Sequence, residues 1–85
     1  MNAEIIQGMI CNSTWKDVEN EQVFQFSDAK NVLINGKDFL EYSLGYIDNK
    51  FVLQVGSENN YILEYVNDFV LYLDDGKKKI KIMPD

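Results

Sequence analysis

The chain has 85 residues, 46% of them hydrophobic, with 14 acidic side chains against 8 basic ones and a net charge of −6. That length makes one domain with a thin core, burying only about 60–65% of the surface its unfolded form exposes. All the basic residues are lysines, and an acidic chain without arginine argues against nucleic-acid binding, which draws on a basic face and on arginine for phosphate and guanine.

The first segment, Glu4 to Lys16, holds Ile5-Ile6, Met9-Ile10 and Trp15. Gly8 interrupts it as a bulge or close-packed point in a strand would, so the segment is expected to be the first strand. Asn12-Ser13-Thr14 reads as a polar turn, and Trp15–Asn20 as a loop or one helical turn. From Gln22 to Ser27 the alternation is clean, with Phe24 and Phe26 on one face and Gln25 on the other. After a turn at Ser27–Lys30 comes Val32-Leu33-Ile34. Asn35-Gly36 then gives the strongest hairpin signal, because both residues tolerate positive φ. Phe39 to Ile47 follows, with Tyr42, Leu44 and Tyr46 in phase, and Asp48-Asn49 turns the chain back.

Four short apolar runs complete the chain: Phe51–Val55, Tyr61–Val66, Phe69–Leu73 and Lys79–Met83. The stretches between them, Ser57–Asn60, Asn67-Asp68 and Asp74–Gly76, have the chemistry of turns, so this half predicts an up-and-down meander. The lysines at 77, 78, 79 and 81 read as a solvated edge that blocks edge-to-edge pairing. No stretch keeps a 3.6-residue apolar period long enough to predict a helix. Eight strands in all predict an all-β antiparallel barrel or curled half-barrel over 1–85, since closure removes both edges of a meander. A two-sheet sandwich is the alternative. No apolar run reaches the ~20 residues that span a bilayer. Met1-Asn2-Ala3-Glu4 lacks a basic, signal-like start, so the expectation is a cytoplasmic protein without membrane insertion.

Three pieces of pattern resemble the short lipocalin-like domains of bacteria. Phe24-x-Phe26 leads through a turn to Val32-x-Ile34-Asn35-Gly36. Tyr42-x-Leu44 is followed by Asp48-Asn49 and Leu53-x-Val55. Tyr61-x-Leu63-x-x-Val66 precedes Asn67-Asp68, Leu71-x-Leu73 and a hairpin at Gly76. The likeness covers roughly Gln22 to Met83. It departs from that family at the start, where a Gly-x-Trp first strand is replaced by Gly8-Met9-Ile10, with Trp15 seven positions after Gly8. The resemblance implies a small compact barrel with a possible apolar ligand.

Chemistry is scarce. Without histidine the chain lacks the commonest general base and metal ligand, and Ser–His and Cys–His nucleophiles are excluded. The single Cys11 forms no internal disulfide and supplies no zinc cluster. Asp74-Asp75-Gly76 offers oxygens to calcium, but hairpin turns favour the same residues. The expectation is therefore neither an enzyme nor a metal or cofactor protein. It is a binding module whose interior or mouth, lined by Trp15, Phe24, Tyr42, Tyr46, Leu53 and Tyr61, takes a small apolar ligand. The alternative is an acidic protein-interaction or structural module with a filled core. The outward residues Val52, Ile62, Val66, Val70 and Tyr72 leave an apolar face that a homodimer would bury by twofold symmetry, unless a register shift at the Asn67-Asp68 turn or a bulge sends some of them inside.

Overall fold

The computed structural model describes residues 2–85; Met1 lies outside them. A short helix, α1 (Ala3–Ile10), precedes eight strands: β1 (Ser13–Asp17), β2 (Val23–Phe26), β3 (Asn31–Ile34), β4 (Asp38–Ile47), β5 (Lys50–Val55), β6 (Asn59–Asn67), β7 (Val70–Asp74) and β8 (Lys79–Pro84). They form a closed barrel in sequence order, every pair antiparallel. Trp15 sits opposite Pro84, and Asp17 opposite Ile82, where β1 meets β8. Closure leaves only short strand overhangs, where neighbours differ in length.

The turns follow from residues that accept left-handed backbone. Asn35 and Gly36 have φ of 56° and 67° in the β3–β4 turn, and Asp48 and Asn49 have 52° and 64° in the β4–β5 hairpin. Short carboxylate and amide side chains fix three further connections, β2–β3, β6–β7 and β7–β8, by accepting backbone N–H groups two or three residues on. Asp28 accepts from Lys30 and Asn31, Asn67 from Phe69, Asp74 from Gly76, and Asp75 from Lys77 and Lys78. These are the local loops for which Asp and Asn are selected in turns. They also account for the oxygens of Asp74-Asp75 that suggested calcium.

The N-terminal segment differs from expectation: Ala3–Ile10 is helix, and only Ser13–Asp17 is strand. Asn2 caps the helix, its side-chain oxygen accepting the Ile5 N–H at 3.0 Å. Asn12, at φ 60°, ends it, and the Ser13 hydroxyl then donates to the carbonyls of Met9 and Ile10. Ser13 also accepts the Trp15 indole N–H at 3.0 Å, tying helix end to first strand. Ile6 and Ile10, four apart, are both fully buried. Eight residues are too few for a helical period to stand out in a sequence. Burial of those two side chains supplies what an isolated helix of this length lacks.

The core runs the length of the barrel: Trp15, Phe24, Phe26, Val32, Leu53, Val55, Leu63, Leu71, Leu73, Ile80 and Ile82 are buried, with Ile6 and Ile10 closing one end. In an up-and-down barrel alternate connections share an end. The helix-to-β1 junction therefore lies with the β2–β3, β4–β5 and β6–β7 turns, and the lysine-rich β7–β8 turn lies at the other end. Alternation sends Phe51, Leu53, Val55, Tyr61, Leu63, Leu71 and Leu73 inward as the sequence predicts. Phe69 does not follow: it sits in the β6–β7 turn, 67% exposed. A bulge between Tyr65 and Asn67 adds Val66 to β6 and shifts the register there.

Candidate functional site

The residues expected to line a ligand cup do not meet around one cavity. Trp15, Phe24 and Leu53 are at most 2% exposed and fill the interior themselves. Tyr42 is also buried, its ring edge-on to Phe26 at 4.9 Å. Its hydroxyl donates to the Asp28 carbonyl at 2.7 Å and accepts from the Gln7 side-chain amide at 2.8 Å, so it pins α1 and the β2–β3 turn to β4. Burial pushes the Tyr42 phenol up, and the Gln7 bond only partly offsets this. Tyr46 shares the face of Tyr42 and Leu44 but lies nearer the hairpin tip, beyond the covered core. It is 54% exposed, its ring tilted against that of Phe51 at 59° with the centroids 5.0 Å apart. Tyr61 is half-buried opposite Leu53, near the other end of the barrel, where burial raises its phenol.

Apolar surface gathers at the helix-bearing end. Ile47 and Phe69 stand 59% and 67% exposed on the β4–β5 and β6–β7 hairpins, with Tyr46 and Val66 close to them in those hairpins. Asp48 and Asp68 flank this rim in the same turns. The Tyr65 hydroxyl donates to Asp68 at 2.7 Å, which raises that phenol. Between β5 and β6 a cleft of about 500 Å³, open to solvent, is lined by Phe51, Ile62, Leu63 and Tyr65, with Asn49, Lys50 and Glu64 also contributing.

The outward residues also lie as the alternation predicts. Val52 and Ile62 are direct neighbours across β5 and β6 on the outer face. Glu64 separates them from Val66 and Val70, because it faces Tyr72 across β6 and β7 and binds Lys79 at 2.8 Å. The Lys79 ammonium also lies 5.6 Å from the Tyr72 ring centroid. The apolar face is thus divided in two by an ion pair.

Sequence reasoning missed Asp17, the one buried charged side chain among the described residues, at 0% exposed. It organises the β1–β2 connection. One carboxylate oxygen accepts the N–H groups of Glu19 and Asn20, and the other accepts the Asn20 side-chain amide at 3.1 Å. Burial pushes its pKa up, but these bonds and the charge of Lys78 outweigh burial and hold it below the ordinary carboxylate range. The signal was present: an Asp two positions before polar loop residues is the Asx-turn pattern that marks Asp28 and Asp75 as well. No described helix is long and apolar enough to cross a membrane.

The fold and this surface define a closed eight-stranded meander barrel with a helix-plugged end. No family model, curated protein or solved structure matches the chain.

Proposed function

We propose that the chain is a non-enzymatic protein-interaction module that keeps its interior for its own core and works from its surface. One observation carries this reading. Trp15, Phe24 and Leu53, the aromatic and aliphatic groups suited to a ligand cup, are consumed in packing, while Tyr46, Ile47 and Phe69 are left exposed at one end. Large exposed apolar side chains gathered in one place mark interaction sites on folded domains. Ligand pockets usually enclose ~70–90% of a small molecule, whereas the cleft beside Phe51 and Tyr65 is open to solvent. A barrel-mouth ligand of the lipocalin-like kind is therefore the weaker reading. The net charge of −6, with Asp48 and Asp68 beside the rim, fits a basic partner.

The test is affinity capture with the wild type and with Ile47→Ser/Phe69→Ser, two exposed changes that leave the core intact. A partner retained by the wild type, lost from the variant and released by raised salt is the expected result. Identical captured sets from both baits would remove the rim from the account.

A further inference from the structure

α1 is the one element whose departure leaves every strand paired. β1 takes β2 on one side and β8 on the other, with Trp15 opposite Pro84, so the barrel closes without the helix. Among the described residues no backbone hydrogen bond joins α1 to a strand. Its ties are made by side chains. The Gln7 amide donates to the Tyr42 hydroxyl, and the Ser13 hydroxyl donates to the carbonyls of Met9 and Ile10. Ile6 and Ile10 are fully buried, with Ala3, Gln7 and Met9 half-buried beside them, while Glu4, Ile5 and Gly8 are exposed. Eight residues with a glycine among them are too few to stand as a helix alone, so α1 owes its form to docking.

The link to the barrel is short and turns on one residue. Cys11 is extended, at φ −59° and ψ 133°, and Asn12, exposed and at φ 60°, bends the chain back into β1. Asn tolerates left-handed backbone better than most residues, but any Cβ there carries a cost. Straightening Asn12 would relieve that cost and send α1 away from its own barrel. Short bent hinges of this kind invite exchange of a terminal element between copies.

Whatever fills the vacated end must bury two branched side chains four positions apart and offer an amide to Tyr42. The occupant shown to do so is α1 itself. We propose that α1 is an exchangeable plug, and that two copies of the chain trade it, each helix closing the barrel of the other. In that closed twofold dimer the burial of Ile6 and Ile10 and the Gln7–Tyr42 bond are kept. What changes is the hinge, where the Ser13 bonds to the helix carbonyls are given up and two Asn12 residues leave the left-handed region. This self-exchange goes beyond the interaction reading and does not use the rim. Its charge dependence is opposite as well, because two chains of −6 repel and salt screens that repulsion.

The test is light scattering on the wild type, Asn12→Ile and Asn12→Gly at millimolar concentration, after warming short of unfolding so that α1 can open. A β-branched side chain resists positive φ and glycine accepts it. The wild type is expected to be mainly monomeric, with a dimer that grows with concentration. Asn12→Ile should raise the dimer association constant about a hundredfold, roughly tenfold for each hinge. Asn12→Gly should lower it, and raised salt should strengthen the dimer. In a mixture of 13C-labelled and unlabelled Asn12→Ile chains, contacts between the Gln7 side chain and the Tyr42 ring should run from one copy to the other. Three results overturn the exchange: Asn12→Ile monomeric with α1 docked, Asn12→Ile monomeric with the α1 amides exchanging freely, or a dimer whose Gln7–Tyr42 contacts stay within each copy. None of the three bears on capture at the rim, which Ile47→Ser/Phe69→Ser reads separately.

Discussion

Two polar side chains hold the barrel's irregular parts, and each does so with hydrogen bonds that water cannot replace once the site is buried. Tyr42 joins α1, the β2–β3 turn and β4 through one hydroxyl. Tyr42→Phe should cost about 1–2 kcal/mol in denaturant unfolding, because it leaves the Gln7 amide and the Asp28 carbonyl short of a partner. Unchanged stability would mean that neither bond contributes. Asp17 gives a pH dependence with a definite sign. Its pKa is lowered in the fold, so the unfolded chain binds the proton more readily. Its contribution is complete above the ordinary carboxylate range and is lost as pH falls through the lowered value. Stability of the wild type should therefore drop on acidification more steeply than that of Asp17→Asn. Parallel pH profiles would contradict this role.

Among the elements, α1 is where the sequence reading and the structure part. β2 through β8 are legible because short apolar runs, most of them alternating, lie between turn residues, of which Asn35-Gly36 and Asp48-Asn49 take positive φ. α1 is not legible, since Gly8 breaks its pattern and its stability draws on tertiary contacts, the burial of Ile6 and Ile10 and the Gln7–Tyr42 bond. The irregularity between Tyr65 and Asn67 is of the kind the sequence allowed at the Asn67-Asp68 turn, but its position was not legible, since an extra residue in one strand leaves no mark on that strand's own alternation; beyond it Phe69 lies in a turn. The expected lining residues did not come together in part for want of depth in the reading, because inward phase told which side Tyr46 takes but not that the core ends before it. Gly8 itself offers a test of the helix. A Cβ there meets nothing within 4 Å. Gly8→Ala should thus stabilise the domain by about 0.5–1 kcal/mol through helix propensity. Destabilisation would be the mark of a strand or bulge at that position.

For the whole molecule, the decisive property is that the interior is spent on packing. The aromatic and aliphatic groups that suggested a binding cup are the ones an 85-residue chain needs for its core, and on the interaction reading proposed above recognition would fall to the outside, at the rim around Ile47 and Phe69. The divided outer face, with Glu64 and Lys79 between Ile62 and Val66, fits this distribution. The most direct measurement is a titration of the domain with a long-chain fatty acid, followed by the fluorescence of Trp15, the only tryptophan, at 2% exposure. The packed interior requires that Trp15 emission show no saturable change. Saturable quenching, lost in Leu53→Phe where a bulkier side chain enters the core of a still-folded barrel, would place a ligand inside and contradict the account.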